Sequence, residues 1–207
     1  VTWHLWWAAA SGMETALFSM WALALILLMW REYGQESGFL ARGGVFGLIA
    51  ALAMLTRPEG VMLAGLCGLA LLAVRPGRNT LLWSAGAGIG FGVLIAPYLL
   101  LNLNLTGGVL PATSDAKFAQ HAPILAESYL LRVLSMVIPI IAGGQVLLLP
   151  GFVYFMFKLL RNLRTDRAVW LHLLPVVWVV ALILLYAARL PASYQHGRYV
   201  IPALPAL

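Results

Sequence analysis

Residues 43–74, GGVFGLIAALAMLTRPEGVMLAGLCGLALLAV, decide how this chain folds. They are apolar throughout except for Thr56-Arg57-Pro58-Glu59-Gly60 at the middle. Two readings compete. In one, a single kinked helix of 32 residues runs through the break. In the other, the break is the turn of a hairpin of two short helices, 43–56 and 60–74. Proline biases the residue before it away from helix and suits the first turn of the helix that follows. Each short helix would cover only about 21–23 Å at 1.5 Å per residue, against roughly 30 Å of bilayer core. A re-entrant hairpin is therefore one form open to it.

Loop charges separate the two readings, because cytoplasmic loops carry the excess of Lys and Arg. Helices are expected at about 13–30, 43–56, 60–74, 80–101, 133–157 and 168–188. Another starts at 199–207, and a long loop covers 102–132. With the hairpin, Arg31, Arg42, Arg75, Arg78, Lys158, Arg161, Arg164 and Arg167 fall on one side. Arg57, Lys117, Arg132, Arg189 and Arg198 fall on the other, a split of eight against five. A single long helix gives six against six and strands Arg57 in lipid. The hairpin is preferred. It places loops 31–42, 75–79 and 158–167 in the cytoplasm and 1–12, the Arg57 turn, 102–132 and 189–198 outside.

Composition agrees with a membrane protein. Of 207 residues, 62% are hydrophobic and 10% charged, and the mean hydropathy is +0.92. A soluble domain carries about 25% charged residues. So few polar side chains could not coat a water-facing surface. Disorder, a collagen-like chain and a disulfide scaffold are excluded too, the last because Cys67 stands alone. The net charge of +6 sits at helix boundaries, so no nucleic acid is expected as a partner. The expected fold is all-α, a polytopic transmembrane helical bundle in a lipid bilayer, one domain over 1–207. The chain begins at Val1 and ends in a nine-residue apolar run, Tyr199–Leu207, where a membrane helix needs about 20. An internal piece of a larger protein, truncated at both ends, is expected.

The outward segments hold most of the varied polar chemistry: Glu14, Arg57, Glu59, Asp115, Lys117, His121, Glu127, His196, Arg198 and Tyr199. Each has a plain structural reading. Ser11 and Glu14 fit a capping box. Arg57 and Glu59 fit an ion pair closing a turn; the alternative is that Arg57 faces a phosphate and Glu59 orients it. His196-Gly197-Arg198-Tyr199 fits an interface anchor, or Arg198 offers its planar fork to phosphate oxygens. Loop 102–132 is a connector or, given its length, a functional segment, and 124–135 has the spacing of a helix lying on the membrane surface. Gly86/Gly90 and Gly88/Gly92 have the four-residue spacing of a close helix-packing face. His172 reads as a packing or interfacial histidine and Cys67 as core. No His or Cys spacing suits a metal, and no nucleophile elbow or P-loop occurs.

Four segments carry a resemblance. They are Ser11-Gly12-Met13-Glu14-Thr15-Ala16-Leu17-Phe18, Leu55-Thr56-Arg57-Pro58-Glu59-Gly60, Leu110-Pro111-Ala112-Thr113-Ser114-Asp115-Ala116-Lys117 and Gly197-Arg198-Tyr199-Val200-Ile201-Pro202. In this order they resemble bacterial membrane glycosyltransferases of the GT-C fold, chiefly the arabinofuranosyltransferase-like and lipid-sugar-transferase-like members. Those proteins typically read SGLETALF, LTRPEG, LPNTFYAK and GRYLLPLLP at the matching places. The resemblance runs from residue 8 to 207.

It implies an enzyme of the cytoplasmic membrane with its active face outward, or periplasmic. A sugar would pass from a polyprenyl-phosphate donor to a glycan, lipid or protein acceptor of the cell envelope, usually with inversion. Arg57, Lys117 and Arg198 are then implied at the phosphate, with Tyr199, His196 and Glu14 lining the substrate site, and Glu59 either positioning or, with Asp115, a catalytic carboxylate. The family's main acid lies upstream of residue 1. Asp115, standing with Ala112 and Ser114 where relatives have an aromatic, an asparagine and a second aromatic, is a candidate second acid. No cofactor is expected, and a divalent metal in the longer protein is left open. The rival reading is a transporter or flippase-type protein binding an anionic lipid-linked substrate; a membrane subunit without chemistry is a third.

Overall fold

A computed structural model describes residues 10, 14–108, 124–141, 144–163, 165–189 and 199–202. The described residues are helical with no strand. The helices are α1 (Thr15–Tyr33), α2 (Phe39–Thr56), α3 (Gly60–Val74), α4 (Arg78–Thr106), α5 (Tyr129–Ile141), α6 (Leu149–Asn162), α7 (Val169–His172) and α8 (Leu174–Arg189). A 3-10 turn, Gly144–Leu148, precedes α6. Three helices, α1, α2 and α4, are long and apolar enough to cross a membrane.

Helix ends follow local chemistry. Gly38, before α2, has φ +66°, and Gly107, after α4, has φ +71° and returns its N–H to the Leu103 carbonyl. Both conformations are left-handed, where only glycine pays no steric cost. Arg57 is extended, with φ −150° and ψ 133°, as the residue before a proline should be. So the hairpin of α2 and α3 forms, and the single kinked helix does not.

The core is assembled from stripes. On α1, Phe18, Ala22, Leu25, Ile26 and Met29 are buried, three or four residues apart, as one face of a helix requires. Leu63, Cys67 and Leu71 do the same on α3, and Trp178, Leu182 and Tyr186 on α8. The outer surface is also apolar: Leu69, Ile89, Val93 and Phe157 are each more than half exposed. A water-soluble monomer would not tolerate so much bare hydrocarbon; lipid would.

The most extensive helix pair is α2 with α4, and they run parallel. Gly86 faces Leu40 and Gly44, Gly90 faces Gly44, and Gly47 faces Ala87 and Phe91. A Cβ on Gly43, Gly47, Gly86 or Gly90 would overlap a backbone carbonyl of the other helix. The spacing expectation is thus met by Gly86/Gly90 and fails for Gly88/Gly92, which have nothing within 4 Å. The two glycine pairs lie on different faces, and only one face meets α2.

Alternation of helix direction sorts the polar residues to two ends. The α1–α2 and α3–α4 turns place Arg31, Arg42, Arg75 and Arg78 at one end. Trp30 Nε1 donates to the Leu171 carbonyl at 2.8 Å and His172 stacks on Trp30 at 5.7 Å, so α7 and, just before it, Arg167 join that end. Arg57 marks the other. There the Tyr129 hydroxyl donates to the Leu184 carbonyl at 3.3 Å, linking the start of α5 to the last turns of α8. The residues flanking 109–123 on both sides belong to this Arg57 end.

Several boundaries differ from expectation. Helix α2 starts at Phe39 and has 18 residues, about 27 Å, so of the hairpin's two helices only α3, with 15, is short. The expected helix 133–157 is divided: α5 ends at Ile141, the 3-10 turn Gly144–Leu148 intervenes, and α6 starts at Leu149 with Pro150 in its first turn. The expected 168–188 is interrupted at Leu173, ahead of Pro175. Loop 102–132 loses residues to α4 and α5. Its stretch 124–135 is exposed or half-buried throughout; 129–135 belongs to α5, which packs on α8 and buries Met136 one residue further on. Of 199–207, residues 199–202 form a turn and the rest lies outside the described residues.

Gly47→Ala or Gly90→Ala is expected to lower stability by about 1–3 kcal/mol, the usual cost of overpacking. Gly88→Ala, on the open face, is expected to be neutral or to add up to about 1 kcal/mol from helix propensity. Thermal unfolding of the full chain in detergent reads both.

Candidate functional site

The site grows from the turn between α2 and α3. Pro58 cannot continue α2, and Gly60 lets the chain fold straight back: a Cβ there would lie 2.6 Å from Ala53 C and Met54 N. The turn is tied by Arg57 N–H to the Ala53 carbonyl and Gly60 N–H to the Arg57 carbonyl, both 2.9 Å. The Glu59 carbonyl accepts from Met62 at 3.0 Å and Leu63 at 3.3 Å. This geometry turns the Arg57 side chain inward, and the residue is only 5% exposed.

A charge so placed must be paired. Arg57 Nε lies 3.6 Å from Glu59 Oε2, and Arg57 Nη2 donates to the Tyr186 hydroxyl at 3.0 Å. The Tyr186 hydroxyl in turn donates to Glu59 Oε1. The three groups form a closed triangle of cation, phenol and carboxylate. Glu59 Oε2 is buried and among the described residues accepts no hydrogen bond; the arginine's charge beside it is its compensation.

Aromatic rings complete the cage. The Arg57 guanidinium carbon lies 5.2 Å from the Tyr199 ring centroid, 5.8 Å from Phe18 and 5.9 Å from Tyr186. Those distances are within cation–π range. Tyr186 and Tyr199 are themselves 4.8 Å apart, and Phe18 meets Trp178 edge-on at 6.2 Å. One guanidinium thus gathers α1, the α2–α3 turn, α8 and the segment at 199.

The expected site residues divide as follows. Arg57, Glu59 and Tyr199 come together. Glu14 is exposed just before α1, one turn from Phe18, whose N–H bonds its carbonyl at 2.9 Å. Glu14 makes no side-chain cap there. Asp115, Lys117, His196 and Arg198 lie outside the described residues. Two further cations among the described residues lie at this end: Arg189 closes α8, and Arg132 lies over the Tyr129 ring at 5.4 Å. Among the described residues no three His, Cys, Asp or Glu side chains cluster as metal ligands would.

Tyr186 and Phe18 escaped the sequence reading. A signal existed for Tyr186: its phenol sits in an apolar run, eight residues beyond Trp178 on the same buried stripe, and a buried tyrosine hydroxyl usually finds a partner. Phe18 carried no such sign, because an aromatic on an apolar helix face reads as core.

No family model matches the sequence, and no solved structure does. Among curated proteins, the chain is 30% identical over 132 residues to the terminal beta-(1->2)-arabinofuranosyltransferase of Corynebacterium glutamicum. The match covers 55% of this chain and 18% of that protein. The chain therefore corresponds to about a fifth of the length of its relative. The similarity is to a glycosyltransferase, and the helices are those of a membrane protein.

Arg57→Gln is expected to cost about 3–5 kcal/mol, because it leaves Glu59 buried without its cation. Adding Glu59→Gln should recover part of that loss. Tyr186→Phe should cost about 1.5–3 kcal/mol, the range for hydrogen bonds to charged groups. Thermal unfolding of the single and double variants tests whether the triangle acts as one unit.

Proposed function

We propose that the chain is part of a glycosyltransferase of the GT-C type, moving a sugar from a polyprenyl-phosphate donor to a glycan, lipid or protein acceptor of the cell envelope. The observation that carries this reading is the caged Arg57–Glu59–Tyr186 cluster at one bundle end. The similarity to an arabinofuranosyltransferase supports the reaction class. The excess of arginine at the opposite end supports an orientation with the Arg42 end cytoplasmic and the Arg57 end outward.

In the proposed reaction an acceptor hydroxyl oxygen bonds to the anomeric carbon. The bond from that carbon to the phosphate oxygen breaks, and the lipid phosphate leaves with the electron pair. The hydroxyl proton passes to a carboxylate. Arg57, with Lys117 and Arg198, would stabilise the charge growing on the phosphate. Glu59 and Tyr186 fix the guanidinium plane, and Tyr199 covers one side. Asp115 is the proposed proton acceptor within this chain. His196 and Glu14 would line the substrate.

The test uses the full-length protein and a labelled polyprenyl-phosphate sugar. Lys117→Ala is expected to lower transfer by about 100- to 1,000-fold, the cost of losing one transition-state donor, with expression unchanged. Unchanged transfer would remove Lys117 from the site. If the wild-type protein moves the labelled lipid across the bilayer and forms no glycosidic bond, the chain belongs to a transporter instead.

A further inference from the structure

The other end of the bundle holds a second charged feature, roughly a helix length from Arg57. A cleft of about 310 Å³ opens there between α1, α2 and α4. That volume lies at the lower end of the range for small-molecule sites, roughly 300–1,000 Å³. Its floor is apolar: Leu28, Val45, Phe46 and Trp83 line it. Phe46 and Trp83 are almost fully buried and pack ring to ring at 4.7 Å, so the floor is set by the core. Its rim carries Arg31, Arg42 and Glu32.

The rim's charges are unevenly committed. Arg42 grips Glu32 with both halves of its fork, Nε to Oε2 at 2.9 Å and Nη2 to Oε1 at 3.0 Å. Glu32 is 5% exposed, so both carboxylate oxygens are turned into this pair. Arg31 is exposed, and among the described residues no carboxylate pairs with it. The rim therefore presents a net positive charge above an apolar floor, at the end of membrane-length helices. Nearby, Arg75 donates to the Gln35 carbonyl at 2.6 Å, and the guanidinium carbons of Arg42 and Arg75 lie 4.9 and 5.1 Å from the Phe39 ring centroid. That arrangement holds the α1–α2 turn beside the cleft.

We propose that this cleft binds one anionic phospholipid of the leaflet opposite the Arg57 site. Its phosphate meets Arg31 at the rim, and the first segment of an acyl chain lies along Leu28, Val45 and Trp83. Both halves of the cleft are needed for such a ligand: a free phosphate would leave the apolar floor bare, and a neutral lipid would leave Arg31 uncompensated. The site is independent of the sugar-transfer reading, since it shares none of that cluster's side chains.

Native mass spectrometry of the full chain in detergent tests this, with phosphatidylglycerol and phosphatidylcholine of identical acyl chains as probes. The unaltered protein is expected to retain one phosphatidylglycerol in preference to phosphatidylcholine. Arg31→Gln should reduce that preference about fivefold, as expected for one arginine near an anionic headgroup. Ala41→Trp, which fills the cleft from its lining, should abolish retention of either lipid. The proposal fails if the two lipids are held equally, if Arg31→Gln leaves the preference intact, or if Ala41→Trp retains lipid as before. Displacement of the lipid by millimolar inorganic phosphate would make this a phosphate site and overturn the lipid assignment.

Discussion

An arginine buried in an apolar bundle has to be answered by the protein around it. Removing such a charge from water costs several kcal/mol even after relaxation. Here the answer is a carboxylate two residues away, a phenol 129 residues away at 3.0 Å, and three rings from three parts of the chain. Apart from Glu59, none of these partners is available until α1, α8 and the segment at 199 have packed around the turn. The charge thus selects the tertiary arrangement: a bundle in which α8 is shifted by one turn would lose the Tyr186 contact and leave Arg57 and Glu59 to each other at 3.6 Å.

Helix α2 connects the two charged ends of the molecule. Arg42 and Arg57 are 15 residues apart on or just after it, about 22 Å along the axis. Between them Gly43 and Gly47 press against the α4 backbone. Such contact leaves no room for α2 to slide or roll relative to α4. The two arginines are held differently, and the difference tracks their surroundings. Arg42 makes a two-pronged pair with Glu32 at the edge of an open cleft. Arg57 makes a longer ion pair, supplemented by a phenol and ring faces, where water is excluded.

Much of this was legible in the sequence, because a membrane-like composition leaves few ways to arrange long apolar runs. Pro58 announced the α2–α3 turn through backbone sterics alone, and Arg57, Glu59 and Tyr199 stood out as polar or amphipathic residues at apolar boundaries. What could not be read is what tertiary contact decides. Gly86/Gly90 and Gly88/Gly92 are the same pattern along the chain, and only the position of α2 tells them apart. The break after Ile141 was hidden because hydropathy stays high on both sides of it. Tyr186 was half legible: a phenol in an apolar run marked a hydroxyl in need of a partner, but that the partner is Arg57 lies in a distance no local pattern contains.

The caging of Arg57 bears directly on how it would act in the proposed transfer. A cation that must find its orientation as charge develops spends energy on reorganisation; one already fixed spends none. Tyr186 and Glu59 fix the guanidinium by a hydrogen bond and an ion pair, and the rings restrict its tilt. The same contacts define what Glu59 can do. One of its oxygens accepts the Tyr186 hydroxyl, and the other lies against the Arg57 guanidinium. A carboxylate so committed serves to hold the arginine. The proton of an acceptor hydroxyl would then go to a carboxylate outside the triangle, for which Asp115 is the candidate on this chain.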